Sequence, residues 1–351
     1  SLLGRREVLT GKAKFGIFGA GKELAQIAMS KVFREGDFRS GYYRDQTFMM
    51  AIGQMSIRQM FAGLYGHTDL ELEPSSGGRQ MSGHYASRTL NDDGTWKNLM
   101  EMKNSSADVS CTASQMPRLL GLAQASKIYR NNKSLEDWNS FSINGNEVAF
   151  GTIGDSSTSE GLFFETINAA GVLQVPMIIS VWDDGYGISV PSKYQTTKES
   201  ISEVLNGFQR DEDNPGYEIF RVKGWDYPSL IETYQKAEKI AREEHVPCLI
   251  HVMEMTQPQG HSTSGSHERY KSKQRLKWET DFDPIKKMGD WIVETGISSQ
   301  EDIDLIMSEA KKTVRLQKAE AWNAYLNPIK QEQQQVLSLM RKIADDSSNK
   351  V

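Results

Sequence analysis

The chain has 351 residues, of which 38% are hydrophobic and 25% charged, with a formal net charge of −5 and two cysteines. That length holds one large or two ordinary domains, and the composition is that of a globular chain rather than a disordered one. The acidic balance gives no general case for nucleic acid, Cys111 and Cys248 are too few for a disulfide framework, and no apolar run reaches the length of a membrane-spanning helix. A reducing compartment follows from the cysteine count, and with no signal peptide visible the expected location is cytoplasmic. The chain starts at Ser1 without Met, inside a stretch (1–9) that already looks helical, so the start is expected to be a processing boundary.

Residues 11–66 open with Gly16-Ile-Phe-Gly-Ala-Gly21-Lys22. This fits a phosphate-binding P-loop as far as Lys22, but Glu23 stands where Ser or Thr holds magnesium, and no hydrophobic strand leads into it. Gly19-Ala-Gly21 also lacks the third glycine of a dinucleotide fingerprint. The segment reads better as a Gly-rich turn into a helix over 23–33. Gly41-Tyr-Tyr43-Arg44-Asp45 follows as a loop that, by its residues alone, reads as plain surface. A single helix is predicted over 48–64, with Met49, Ile52, Met55, Met60 and Leu64 as core filler.

Residues 67–113 are loop-rich. Gly77-Gly-Arg79-Gln-Met-Ser-Gly-His84-Tyr85 is dense in turn signals. Ser110-Cys-Thr112-Ala-Ser-Gln-Met-Pro117 leads into a helix predicted over 118–129.

The strongest pattern lies at 147–191. Glu147-Val-Ala-Phe-Gly-Thr-Ile153 reads as a strand, Gly154-Asp155-Ser156-Ser157 as a turn, 160–173 as a helix, and Val175-Pro-Met-Ile-Ile-Ser-Val181 as a second strand ending on Trp182-Asp183-Asp184-Gly185-Tyr186-Gly187. In a strand–helix–strand unit both strand ends lie at one edge of a parallel sheet, where ligands bind. Asp155 and Asp184 then sit side by side. Two carboxylates, a carbonyl at Tyr186 and backbone amides at a helix entrance describe a magnesium ion bridged to a diphosphate. Two ordinary strand-end turns, where Asp and Gly are common, read equally well from chemistry alone.

Residues 192–216 read as a surface excursion, 217–222 as a strand, 228–244 as a helix and 246–253 as a buried strand, which continues a parallel-sheet pattern. A Ser/Gly/His loop follows, Gly260-His261-Ser262-Thr-Ser-Gly-Ser-His267. From Asp283 the chain is helical. Pro284 sits in a first turn, a capping box at 298–301 precedes a helix predicted over 300–325, and after Pro328 a separate Gln-rich amphipathic piece covers 332–343.

Read together, these segments resemble the thiamine diphosphate motif, a GDG followed downstream by NN. More narrowly, the chain resembles the alpha subunit of the decarboxylating component of 2-oxo acid dehydrogenase complexes, from Gly11 to Asn323. The resemblance implies an α/β fold, a parallel sheet flanked by helices, in one domain over 1–325 that includes a helical tail from about 283, with a polar helical or linker tail over 326–351. It puts magnesium on Asp155, Asp184 and the Tyr186 carbonyl. It puts the cofactor against Tyr43, Arg44, Ser110, Thr112, Gly154, Asp155, Ser156, Ser157, Asp184, Ile188 and His261. His261 and His84 are the catalytic candidates, and Ser262 falls where some relatives are phosphorylated. Two departures stand out. Ser156 replaces the motif's last Gly, and Asp183-Asp184 replaces the NN pair, so a negative charge stands where the family has a neutral amide.

The activity implied is decarboxylation of a branched-chain 2-oxo acid or pyruvate and passage of the acyl group to the lipoyl group of an acyltransferase. It needs a beta subunit, separate or fused to this chain, with a symmetric pair of alpha–beta units expected. No nucleic acid or membrane partner is expected. Another thiamine-dependent activity such as acetoin cleavage, and a non-catalytic homologue with an altered cofactor motif, are the alternatives.

Overall fold

The structure is a computed structural model that describes residues 1–81 and 83–347. Its centre is a sheet of six strands. β1 (Phe38–Ser40), β2 (Asn104–Ser105), β3 (Ala149–Gly154) and β4 (Met177–Trp182) come first in the chain. A small separate hairpin, β5 (Tyr186–Gly187) and β6 (Val190–Pro191), precedes β7 (Glu218–Lys223) and β8 (Cys248–Met253). The sheet runs β2-β1-β3-β4-β8-β7 with every pair parallel. The helices are α1 (Leu2–Leu9), α2 (Glu23–Val32), α3 (Gln46–Ala51), α4 (Ile57–Tyr65), α5 (Gln115–Asn131), α6 (Gly161–Leu173), α7 (Ile201–Val204), α8 (Tyr227–Lys239), α9 (Lys273–Asp281), α10 (Pro284–Glu294) and α11 (Gln300–Asp346). The expected architecture, a parallel sheet flanked by helices with a helical C-terminal part, is the one found. Among the described residues no helix is long and apolar enough to cross a membrane.

The central strands are apolar on both sides because both sides are covered. All six residues of β4 are buried. Alternation sends Ile178 and Ile250 to a core built with α2, α3 and α8, including Ala25, Met29, Phe48, Leu230 and Tyr234. The neighbours Ile179 and Leu249 face the opposite core, with Met116, Leu119 and Ala123 of α5 and Phe163 and Ile167 of α6. Each such Ile, Leu, Met or Phe side chain contributes about 1.5–3 kcal/mol of burial. Gly151 lets α5 approach β3, since a Cβ there would lie 2.2 Å from Leu119 Cδ2.

Three expectations are corrected. The single helix over 48–64 is two helices. Gly53, at φ +80, ends the first excursion, and Ser56 starts α4 with a capping box to Gln59. Strands β1 and β2 were not expected, because Phe-Arg-Ser and Asn-Ser are too short and too polar to show a strand pattern. The helix does not break before Pro328, as α11 runs unbroken through it. Proline removes one backbone hydrogen bond there, but the surrounding turn is exposed, so water reaches the unpartnered carbonyl, and the sequence after it is rich in helix formers. The helix of 228–244 is α8 extended by a wider turn over Ile240–Glu244 that ends on His245 at φ +56.

A third cluster seats α11. Val314, Ala321, Trp322 and Tyr325 pack on α1 and α4 beside Phe61 and Tyr65, with Tyr65 and Trp322 edge-on at 5.0 Å. Glu7 is buried there between Tyr65 Oη (2.8 Å) and Lys318 Nζ (2.9 Å).

The C-terminal edge of the sheet is tied by Arg39 of β1, which is fully buried. Its Nη1 and Nη2 donate to the two oxygens of Asp108 (2.9 and 3.1 Å), and its Nε donates to Asp45 Oδ2 (2.8 Å). Asp45 also accepts from Thr152 Oγ1 of β3 (2.6 Å) and from the Tyr42 amide (3.3 Å). Removing one partner of such a buried network leaves the other charges uncompensated. Arg39→Met is therefore expected to lower the unfolding free energy by about 3–5 kcal/mol in urea titrations, with Arg39→Lys recovering little because an ammonium cannot make the bidentate fork. A loss below about 1 kcal/mol, the range of exposed pairs, would show that the cluster is not what holds this edge.

Candidate active site

β3 and β4 end side by side, with Gly154 paired to Trp182. The Asp155 amide donates to the Trp182 carbonyl at 3.2 Å, and the chain then turns through Ser156–Ser159 into α6. Beyond Trp182 the two acids part company. Asp183 faces β8: its Oδ2 accepts from His251 Nε2 (2.8 Å) and its Oδ1 from the Gly185 amide (2.8 Å). His251 Nδ1 in turn accepts from Ser202 Oγ (2.8 Å), which pins the excursion after β6 to the sheet. Asp184 faces a cleft of about 240 Å³ and accepts the Tyr186 amide on Oδ1 (3.2 Å).

Lys22 reaches the same carboxylate. It stands just ahead of α2, 1% exposed, with Nζ donating to Asp184 Oδ2 (3.0 Å), Gln257 Oε1 (2.7 Å) and the Thr256 carbonyl (3.3 Å). Gly21 makes this reach possible. Its φ is +89, and a Cβ there would lie 2.1 Å from the Thr256 carbonyl oxygen, so no other residue fits against that loop.

Arg44, also buried, cross-links three segments. Nη1 donates to the Phe18 carbonyl (2.8 Å), Nη2 donates to the His261 carbonyl (2.9 Å), and the Arg44 carbonyl accepts from Gln26 Nε2 of α2 (2.8 Å). The Tyr43 ring lies 6.5 Å from the His261 ring, edge-on.

The electrostatics separate the two cleft carboxylates. Burial pushes Asp155 well above the usual carboxylate range, and Asp184 and Asp183 push it further. Burial acts on Asp184 in the same sense, but Lys22 and then Arg44 outweigh it, and this carboxyl ends below its ordinary value. Burial, with Arg44 adding to it, brings His261 down to about 4.

The cleft gathers Tyr43, Arg44, Thr112, Gly154, Asp155, Ser156, Ser157, Asp184, Tyr186, Ile188 and His261 from the sequence reading. Two others are placed elsewhere. His84 Nε2 and Ser110 Oγ lie 2.8 Å apart, and His84 lines a smaller cavity of about 50 Å³ with Phe18, Glu73 and Tyr85. The sequence reading missed Lys22, Tyr42, Glu160, Trp182 and Gln257, all of which line the cleft. Lys22 was visible inside the glycine-rich segment, but nothing local pairs it with an acid 162 positions away. A pocket with two fixed cations, amides at a helix entrance and two carboxylates is suited to a phosphate-bearing anion held with a hard cation.

The family described as dehydrogenase E1 component matches residues 7–329. The chain is 28% identical over 316 residues to the 2-oxoisovalerate dehydrogenase subunit alpha of Bacillus subtilis, covering 90% of this chain and 84% of that protein. It is 26% identical over 316 residues to the mitochondrial 2-oxoisovalerate dehydrogenase subunit alpha 1 of Arabidopsis thaliana, and 24% identical over 308 residues to the mitochondrial subunit alpha of Homo sapiens. In those two cases it spans only 58% and 60% of the relative's length.

His261 is expected to stay neutral down to about pH 4, where an exposed histidine protonates near 6.5. Because the folded value is the depressed one, the stability tied to the neutral ring is complete above about pH 6.5 and is lost as pH falls toward 4. A histidine proton titration by NMR checks this. A His261 midpoint near 6.5 would mean that the ring sits in water rather than in the wall of the cleft.

Proposed function

The chain belongs to the dehydrogenase E1 component family, and on that premise we propose that it is the alpha part of a thiamine diphosphate-dependent 2-oxo acid dehydrogenase, acting on a branched-chain 2-oxo acid or pyruvate. The observation that supports this best is the convergence of Arg44, the Ser156 and Ser157 turn, Asp155 and Asp184 on one cleft at the ends of β3 and β4. The names of the relatives favour branched-chain substrates over pyruvate.

When bound, thiamine diphosphate supplies the nucleophilic carbon that releases carbon dioxide from a 2-oxo acid. The chain's own residues grip its diphosphate end. Arg44 and Tyr43 stand on one wall, with the Arg44 fork already oriented by two carbonyls. Ser156 and Ser157 present the amides that precede α6, and Thr112 and Ile188 close the cleft. His261, neutral at pH 7, has one ring nitrogen to donate and one to accept, which suits it to move a proton or to steady charge at the mouth of the cleft.

Magnesium fits the same place. Asp155 is 8% exposed, and burial and neighbouring acids hold its carboxyl short of cationic charge. Among the described residues no group of three or more His, Cys, Asp or Glu converges on a metal position, so Asp155 and Asp184 would be completed by the Tyr186 carbonyl and by diphosphate oxygens. A hard cation there would neutralise the diphosphate.

Asp155 and Asp184 are used at the diphosphate end, and the third acid of the cleft, Glu160, is exposed at the entrance of α6, away from the buried floor. A beta part, separate or fused, supplies the acid that sets the tautomer of the aminopyrimidine, and a lipoyl-bearing acyltransferase accepts the acyl product. The proteins act as a symmetric pair of alpha–beta units in the cytoplasm.

The purified 351-residue chain is expected to bind cofactor weakly and not to decarboxylate 2-oxo acids, and a matched beta part is expected to restore turnover. Assays with 2-oxoisovalerate, pyruvate and acetoin check this. Robust turnover by the chain alone would refute the half-site, and turnover of acetoin only would move the activity to another thiamine enzyme.

A further inference from the structure

Asp184 brings to the cleft a charge that a neutral amide at its position would not bring. Lys22 removes it. All three hydrogens of the Lys22 ammonium are taken by protein oxygens, on Asp184, Gln257 and Thr256, so this group is not left waiting for an external anion. Lys22 is 1% exposed and Asp184 6% exposed, and neither charge is tolerable at such depth without the other. The approach is built into the backbone, because Gly21 brings the chain against the Thr256 carbonyl just before Lys22. Arg44 stays outside the pair, donating to carbonyls rather than to a carboxylate. Among the described residues Asp155 forms no ion pair, and Lys22 acts on it only from a distance.

We propose that Lys22 is a positioning residue for the diphosphate end of the cofactor: its ammonium is the counter-charge of Asp184, and together the two present to the cleft the net charge of one neutral side chain. The proposal rests on the thiamine diphosphate reading above. It makes the altered acid pair and the lysine after Gly21 two halves of one device. A diphosphate and its cation, held by Asp155 and Asp184, would then meet an Asp184 whose charge is already balanced by Lys22.

The test is a double-mutant cycle on the chain assembled with its beta part. Magnesium is titrated by calorimetry in saturating thiamine diphosphate. Lys22→Gln leaves one carboxylate in excess and is expected to tighten magnesium binding about tenfold. Asp184→Asn leaves a buried ammonium in excess and is expected to weaken it about tenfold, and the double variant is expected to return to within about threefold of the parent. Opposite signs are the signature, since mere loss of structure shifts both variants the same way. Urea unfolding without cofactor confirms that each variant folds. Lys22→Met serves as a second uncharged variant, and Lys22→Arg, which keeps the charge, is expected to stay near the parent. Shifts of the same sign, or Asp184→Asn binding as well as the parent, overturn the proposal alone. A parent that binds neither cofactor nor magnesium overturns the functional reading and the proposal with it.

Discussion

The burial of Arg39 is the constraint on which the ligand-binding edge rests. A guanidinium with no access to water persists only if every hydrogen it presents finds an acceptor, and Asp108, Asp45, Ser105 and the Tyr42 carbonyl provide them. Those acceptors lie on separate pieces of chain: the loop that follows β1, and the segment at and after β2. Asp45 extends the network to Thr152 of β3 and, at 3.5 Å, to Trp182 Nε1 of β4. Four neighbouring strands are thus locked at their C-terminal ends by polar bonds, while apolar side chains lock their middles. Apolar contact alone would allow small slips along the strand. Directional bonds around a planar fork do not, and the residues that follow, Tyr42 to Arg44 and Asp155, inherit that precision.

The cleft itself is balanced rather than charged. The side chain pointing to β8, Asp183, is spent on holding His251 and the turn at Gly185. The next one, Asp184, faces inward onto Lys22. Adjacent residues at a strand end point to opposite sides, so an acid pair there delivers one structural carboxylate and one for the site. A sequence motif of two identical letters hides this division of labour.

The sequence made much of this legible where the signal was local. β3, β4, β7 and β8 announce themselves as apolar runs, and α6 and α8 as periodic stretches between them, so the strand-end placement of Asp155 and Asp184 followed. β1 and β2 did not, since their stability comes from pairing, β1 with β3 and β2 with β1, and from the Arg39 network, none of which is written in Phe-Arg-Ser or Asn-Ser. Pro328 misled because proline's cost is about 3 kcal/mol, large for a local rule but payable within a 47-residue helix. Lys22 was missed for the opposite reason. Its neighbours form a tempting local pattern, while its partners, Asp184, Thr256 and Gln257, are all distant in the chain. Long-range polar pairs leave no periodicity to read.

α11 has a mechanical consequence. At 1.5 Å per residue its 47 residues span about 70 Å, roughly twice the diameter of a small domain. It is clamped near its middle by Trp322, Tyr325 and Lys318, and from Asn327 to Ser347 every described residue is exposed. The helix is therefore a cantilever. Free energy of opening falls along it, from the value of the seated turns toward that of a solitary peptide helix, which is marginal in water at such a length. Val336, Leu337, Leu339, Met340 and Ile343 ride on the compliant end, so any force or partner acting on them is transmitted to the core through the seat of α11 on α1 and α4, beside Tyr65.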